Sequence, residues 1–425
     1  MYNLTTSVYV IIKKSDICNH IMEHKNLHRN LTEAVVNALD LIYNQRYYAD
    51  KVVEKTLKSD KRWGARDRRF VAEAIYECVR WKRLYNEIAE TQNNFTLFNI
   101  WKIVGVYAVL NAYKLPEWNE FIGLNEVLIQ EKFNFFQSNR AIRESIPDWM
   151  DELGVSELGE AWESEIRALN QQAQVVLRTN TLKINREDLQ AQFQKEEIEM
   201  EILSDYPDAL KLKNRANVFH TYAFRKGLFE MQDASSQLVS RFLEVEPGMR
   251  VVDACAGAGG KTLHLASLME NKGQLIAMDI FEHKLEDLKK RAKRNGAHNI
   301  ETRVITSSKT IKKLKESADR VLIDAPCSGL GVIRRNPDSK WKLQPDQIEQ
   351  LKATQAEILD QYAQMVKVGG KMVYATCSIL PSENEQQVEK FLANHPEFTL
   401  QKDIKVSPHQ SGFDGFYMAL LEKIN

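Results

Sequence analysis

A chain of 425 residues exceeds what one hydrophobic core usually organises, so two or three domains are expected. Its 44% apolar and 27% charged residues are those of an ordinary globular protein and exclude disorder across the chain. With 58 basic and 58 acidic residues the net charge is zero, so no whole-molecule field draws in a polyanion and any nucleic-acid site must be local.

Residues Met1 to Arg29 show no clear period, and 1–30 are taken as an extension, with Met22 as a candidate true start that intact-mass measurement would test. The apolar run Val8 to Ile12 is far too short to span a bilayer and no basic segment precedes it, so neither membrane nor export is expected. The five cysteines, Cys18, Cys78, Cys255, Cys327 and Cys377, are too few and too scattered for a disulfide scaffold, which suits a reducing cytoplasm. No CxxC pair is present, so no zinc knuckle or other metal site is expected.

From Leu31 to about Asn139 apolar residues recur at helical spacing, as in Ala34, Val35, Ala38, Leu39 and Ile42, which predicts an all-α domain over 31–140. Within it Lys58 to Arg69 (KSDKRWGARDRR) sets basic charge around Trp63, a composition that can bind RNA, although a solvated face is the commoner fate of such a run. Over 160–240 the pattern changes to short strands and helices. Val175 to Leu182 reads as strand, Arg186 to Lys195 as helix and Ala209 to Leu212 as a further strand, giving a small α+β module.

Residues 241–425 alternate strand and helix. Met249 to Ala254, Gly273 to Asp279, Ile300 to Ile305, Arg320 to Ala325 and Gly370 to Cys377 are apolar, β-rich runs. Helices are predicted at His283 to Asn295, closed by Gly296, and at Gln347 to Val366, closed by Gly369. Such alternation implies an α/β domain with a parallel sheet, whose ligands bind at the carboxyl ends of the strands.

The first of these strands runs into Cys255-Ala256-Gly257-Ala258-Gly259-Gly260-Lys261-Thr262. A P-loop needs glycine where Cys255 stands, and a dinucleotide fingerprint from Gly257 needs glycine at Thr262, so both fail. A small-residue turn followed by Asp279 at the end of the next strand suits instead a nucleoside without phosphates, its ribose hydroxyls donating to the carboxylate. A tight strand-to-helix turn would need the same glycines.

Two later strands end in Asp324-Ala325-Pro326-Cys327-Ser328 and Thr376-Cys377-Ser378. A lone buried cysteine is usually a small hydrophobe, but two at strand ends beside a cofactor loop point to thiol chemistry. A thiolate adding to carbon 6 of cytosine turns carbon 5 into a nucleophile, and Asp324 can hydrogen-bond or protonate nitrogen 3. The segment Val332 to Trp341 (VIRRNPDSKW) reads as a loop over the cleft, in which Arg334, Arg335 and Lys340 reach phosphates and Trp341 offers a stacking face. A surface loop packed by Trp341 is the plainer alternative.

The segments DACAGAGGKT, DAPCSGLGVIRRNPDSKW, YATCSILPSENE and DGFYMALL resemble the Nop/Sun group of RNA cytosine-5 methyltransferases, most closely the bacterial enzymes that act on 16S ribosomal RNA. The likeness implies a Rossmann-like class I S-adenosylmethionine methyltransferase domain, an RNA-recognition-like middle module and a NusB-like helical RNA-binding domain. It also implies that Cys377 is the nucleophile, that Cys327 assists release of the methylated base, and that Cys255 to Lys261, Asp279 and Asp324 surround the cofactor, with Lys261 and Asp324 near the base. Ribosomal RNA is the first choice of substrate, transfer RNA the second, and the chain is expected to act as a cytoplasmic monomer.

Two departures stand out. Ala258 replaces the family's usual proline, which should cost rigidity. At the end of the third strand, where the family offers an aspartate to the adenine, this chain has Thr306-Ser307-Ser308, so Ser307 would have to serve and either a reduced cofactor affinity or a differently held adenine is expected. That loss keeps open an RNA-binding assembly factor without turnover; methylation of DNA or protein is a further alternative.

Overall fold

The computed structural model describes residues 25–425, so Met22 and the run Val8 to Ile12 lie outside the described residues. The chain forms two compact units that divide between Ser138 and Asn139. No helix among the described residues is long and apolar enough to cross a membrane.

The first unit is helical, as its periodicity predicts. Helix Arg29–Tyr43 buries Leu31, Val35, Val36, Ala38, Leu39 and Ile42 along one stripe, the i, i+4, i+7 pattern of a core-facing helix. Helix Leu97–Leu110 starts where the Thr96 hydroxyl accepts from the amide of Asn99 and is apolar nearly all round, so it lies in the middle of the unit. A two-residue parallel pairing of Lys25–Asn26 with Tyr113–Lys114, which periodicity does not reveal, ties the segment before the first helix to the one after helix Leu97–Leu110. In the basic run, Trp63 is buried, Arg68 donates to the carbonyl oxygens of Trp63, Leu57 and Asp60, and Arg62 pairs with Asp60. Much of that run is therefore spent on the loop's own structure.

After a single turn of helix at Arg140–Arg143, the second unit continues with helices Asp148–Leu158 and Ala161–Leu169, the first in a stretch to which hydrophobic period assigns no element. Their apolar residues Met150, Trp162, Ile166 and Leu169 pack with Leu330, Ile333, Ile379 and Leu380, which follow the two cysteine motifs in sequence. Next comes a small antiparallel sheet of β1 (Val176–Thr179), β2 (Met200–Ile202), β3 (Ala209–Leu212) and β4 (Phe229–Met231), in the order β2-β3-β1-β4. Helix Arg186–Lys195 buries Leu189 and Phe193 with Leu177, Leu210 and Phe229 of that sheet.

The large sheet contains β5 (Arg250–Asp253), β6 (Gln274–Asp279), β7 (Ile300–Val304), β8 (Ala318–Asp324), β9 (Val366–Thr376), β10 (Phe398–Val406) and β11 (Phe416–Lys423), in the order β10-β11-β9-β8-β5-β6-β7. Five strands are parallel, as the alternation predicts; at one edge β11 adds antiparallel to β9 and β10 antiparallel to β11, which the sequence reading did not anticipate. Both faces are covered: Val252, Ile276, Val321, Ile323 and Met372 point into one core, and Val251, Leu275, Leu322 and Val373 into the other. Strands buried on both sides read as continuous apolar runs, which is why the sequence shows them so clearly.

One predicted helix is displaced. Helix Pro345–Ala363 has proline at its first turn and stops before Val366, which opens β9. Gly369, expected to close the helix, lies inside β9 at φ +73° and next to a register shift in the pairing with β8. The β-branched run around it prefers the pleated sheet to a further helical turn. Helix Glu282–Asn295 does end at Gly296, whose φ of 72° is the left-handed turn expected there.

Candidate active site

Strand order places the site. β5 has β6 on one side and β8 on the other, so the chain leaves in opposite directions from this pair and a crevice opens at their carboxyl ends. The loops after β5, β6, β8 and β9 carry the glycine turn, Asp279, Cys327 and Cys377, respectively.

In the glycine turn, Gly257 (φ +53°) and Gly259 (φ +88°) adopt the left-handed conformation. A Cβ on Gly259 would come within 2.6 Å of Leu288 Cγ, whereas one on Gly257 or Gly260 would meet nothing within 4 Å. Gly259 thus serves close packing, and the other two leave room for a ligand. Asp279 anchors the turn: its Oδ2 accepts from the Gly257 amide at 2.8 Å and its Oδ1 from the Phe281 amide at 2.9 Å. A carboxylate with two amide donors keeps lone pairs for hydroxyl donors.

The carbonyls of the turn face two arginines that sequence reasoning missed. Arg291 donates to Ala258 O at 2.6 Å and Arg178 to Gly260 O at 2.5 Å. Arg291 is in turn paired with Glu230 of β4 at 2.8 Å, and Arg178, fully buried on β1, also bonds the side chain of Gln232. A buried arginine between apolar neighbours in a strand, as in VVLRTNTL, was the available signal. The small sheet therefore supports the cofactor turn directly.

Opposite the turn, Lys261 Nζ lies 2.7 Å from Asp324 Oδ2. Burial works against the ammonium, but the neighbouring carboxylate outweighs it and holds the Lys261 pKa above its ordinary value, and Cys377 adds in the same direction. Asp253, 1% exposed, accepts from Thr262 Oγ1 at 2.7 Å, while its Oδ1 has no hydrogen-bond partner. Burial, with the charge of Asp324 adding to it, pushes the Asp253 carboxyl up to about 7. Burial likewise raises the Cys255 thiol well above the usual range.

The two thiols expected to share a cleft do so: Cys327 Sγ and Cys377 Sγ are 3.4 Å apart. The hydrogen bond to Cys377, with burial, raises the Cys327 pKa far above that of a free thiol. Ser307, exposed at the end of β7, starts the short helix Ser308–Lys312 with extended backbone and makes no capping bond.

The segment 332–341 corrects the sequence reading. Arg334, 3% exposed, donates to Gly412 O at 2.7 Å and Ala168 O at 3.0 Å. Arg335 pairs with Asp233 at 2.6 Å and with Asp414 at 2.5 Å. Lys340, 1% exposed, donates to Asn170 Oδ1 at 3.0 Å, and its Nζ lies 5.7 Å from the centre of the half-buried Trp341 ring. Arg334, Arg335 and Lys340 are thus engaged by carboxylates and carbonyls far away in sequence, rather than held open over the crevice.

The residues present fit S-adenosylmethionine: open space over Gly257 and Gly260, an acceptor carboxylate at Asp279, and exposed apolar Ile280 and Phe281 beside it. Comparison with known proteins agrees. The model described as "16S rRNA methyltransferase RsmB/F" matches residues 240–422, and that of the RsmF/B-like ferredoxin-like domain matches residues 146–219. A probable ribosomal RNA small subunit methyltransferase B of Synechocystis sp. is 30% identical over 88% of this chain and 95% of that protein. Its counterpart in Bacillus subtilis is 36% identical, the match spanning 65% of each chain. The crystal structure of PH0851 superposes with a TM-score of 0.81 at 27% identity, over 94% of this chain and all of that one. The chain belongs to the 16S rRNA methyltransferase RsmB/F family of S-adenosylmethionine-dependent methyltransferases.

Proposed function

We propose that this chain methylates carbon 5 of a cytosine in small-subunit ribosomal RNA through a transient covalent bond between Cys377 and the base. The observation that carries the reading is the pair of thiols 3.4 Å apart, in a crevice that also holds the Lys261–Asp324 ion pair. S-adenosylmethionine, when bound, supplies an electrophilic methyl group on a sulfonium. Everything else falls to the chain. The Cys377 thiolate forms a bond to carbon 6 and pushes the ring electrons toward carbon 5. Asp324, taking a proton from Lys261, donates it to nitrogen 3 and accepts it back later. After methylation a base must remove the proton on carbon 5, whose electron pair re-forms the ring double bond and expels the Cys377 thiolate. Cys327 Sγ, 3.4 Å from Cys377 Sγ, is the candidate: in its thiolate form, its own proton having passed to solvent, it takes the carbon-5 proton and becomes a thiol.

The test uses the whole chain with small-subunit RNA. Cys377→Ala should lower methyl transfer by about 10³-fold or more, the scale for loss of a covalent nucleophile. Cys327→Ala should accumulate an RNA adduct mapped to Cys377. An adduct on Cys327, or transfer that survives Cys377→Ala, overturns the assignment.

Ser307 and Ser308, in place of a charged adenine partner, favour a second reading as an assembly factor without turnover. Calorimetry showing no binding of S-adenosylmethionine at millimolar concentration would support it. Among RNAs, transfer RNA is the runner-up, and bisulfite sequencing of RNA from a deletion strain identifies the target.

A further inference from the structure

The turn after β9 places Glu383 beneath both cysteine loops. Its side chain is fully buried, and four donors converge on its two oxygens. Oε1 accepts from the Ser328 amide at 2.8 Å and from Gln355 Nε2 at 3.0 Å, while Oε2 accepts from the hydroxyls of Ser328 and Ser378. Those hydroxyls are 3.2 Å from each other. Ser328 follows Cys327 and Ser378 follows Cys377. Gln355 also donates to Pro326 O at 3.0 Å, and the Glu383 carbonyl accepts from Tyr374 OH at 2.7 Å, so the node reaches both loops and β9.

All four donors to the carboxylate are neutral groups. A buried carboxylate without a cation is costly, several kcal/mol in general, so an apolar or amide side chain in its place would ordinarily be more stable. Only the carboxylate accepts from all four donors at once: an amide NH2 would either face the two N–H donors on Oε1 or force both serine hydroxyls on Oε2 to turn round and accept. We propose that Glu383 is a positioning residue that ties the Cys327 and Cys377 loops to one carboxylate and so keeps the two thiols in mutual reach. The inference rests on the thiol chemistry proposed above, but its geometric half can be measured without RNA.

The probe is hydrogen peroxide: the two thiols lose two protons and two electrons to form one disulfide, and the peroxide becomes two molecules of water. Peptide mapping follows the Cys327–Cys377 cross-link in the full chain. Glu383→Gln should slow that cross-link about tenfold, the equivalent of one lost hydrogen bond to a charged group, and lower kcat while S-adenosylmethionine affinity stays the same. Glu383→Asp keeps the acceptor chemistry and should recover part of the rate. In combination with Ser328→Ala the effect of Glu383→Gln should be less than additive. A role in stability alone predicts a lower Tm with a normal cross-linking rate in the folded fraction, and that result overturns the proposal. Should Glu383→Gln fail to fold, Ser378→Ala removes a single donor and must still slow the cross-link about threefold, the lower end for one hydrogen bond; an unchanged rate is equally fatal. If the cross-link slows in Glu383→Gln but Cys377→Ala still methylates RNA, the positioning role stands and the covalent mechanism does not.

Discussion

The charges on the 332–341 segment and those beside the glycine turn are both buried, yet only the first group is balanced. Arg334 and Arg335 meet two carboxylates, Asp233 and Asp414, and lend their remaining donors to backbone carbonyls. Beside the glycine turn two carboxyls, Asp253 and Asp324, face one ammonium, Lys261. A group whose charges are matched leaves no net charge to offer a ligand, whereas one with a carboxyl in excess can take up or release a proton. Basic character in a loop is thus no guide to substrate contact until its counter-charges are known.

Removing a cation from the balanced group is the sharpest way to break that contrast. Arg335→Ala strands the Asp233 and Asp414 carboxylates, both almost fully buried, and should cost about 2–3 kcal/mol, less than a fully buried pair because a third of Arg335 is in contact with solvent. The loss should depend on pH. Burial, with the charge of Asp233 adding to it, holds Asp414 up at about 6 even with Arg335 present. At pH 5 Asp414 is largely protonated and needs no cation; at pH 8 it is ionised and does. Denaturant titrations should therefore give a larger loss at pH 8 than at pH 5, with RNA affinity of the folded variant and its salt dependence unchanged. A fall of about one in the slope of log K against log salt would instead mark Arg335 as a phosphate contact.

The sequence made the parallel strands legible because both faces of the sheet are buried, and it exposed the two thiols because each ends such a strand. What it hid is long-range pairing. Arg335 finds Asp233 and Asp414 across 102 and 79 residues, and Glu383 reaches Ser328 across 55, distances at which no local period carries information. The antiparallel strands β10 and β11 escaped for a different reason. β10 is largely exposed, so its residues do not form an apolar run, and β11 lies within the DGFYMALL motif, which did not reveal its direction.

Arg291 extends the same lesson to the cofactor turn, at a smaller magnitude. Its bond to Ala258 O holds the turn at the position where the family's usual proline is missing, and Glu230 holds Arg291. Arg291→Ala should weaken S-adenosylmethionine binding by about tenfold, the worth of one charged hydrogen bond, with little change in Tm because Arg294 and Asn295 still meet Glu230. Calorimetry decides it: unaltered affinity would mean that the turn needs no support from the small sheet.

The unbalanced group gives the most specific effect. Asp253 has a carboxyl pKa of about 7 when folded and an ordinary value near 3.8 when unfolded. Between those values the folded chain binds a proton that the unfolded chain has released, so this group's contribution to stability is fully present below pH 3.8 and is lost as pH rises through 7. The slope cannot exceed about 1.4 kcal/mol per pH unit, and other titrating groups overlie it. Asp253→Asn keeps the size and the acceptor for Thr262 but cannot ionise. The difference in stability between variant and parent should therefore grow in favour of the variant from pH 5 to pH 7. A difference that stays flat would mean that Asp253 is ionised throughout, and that Lys261 serves both carboxylates rather than Asp324 alone.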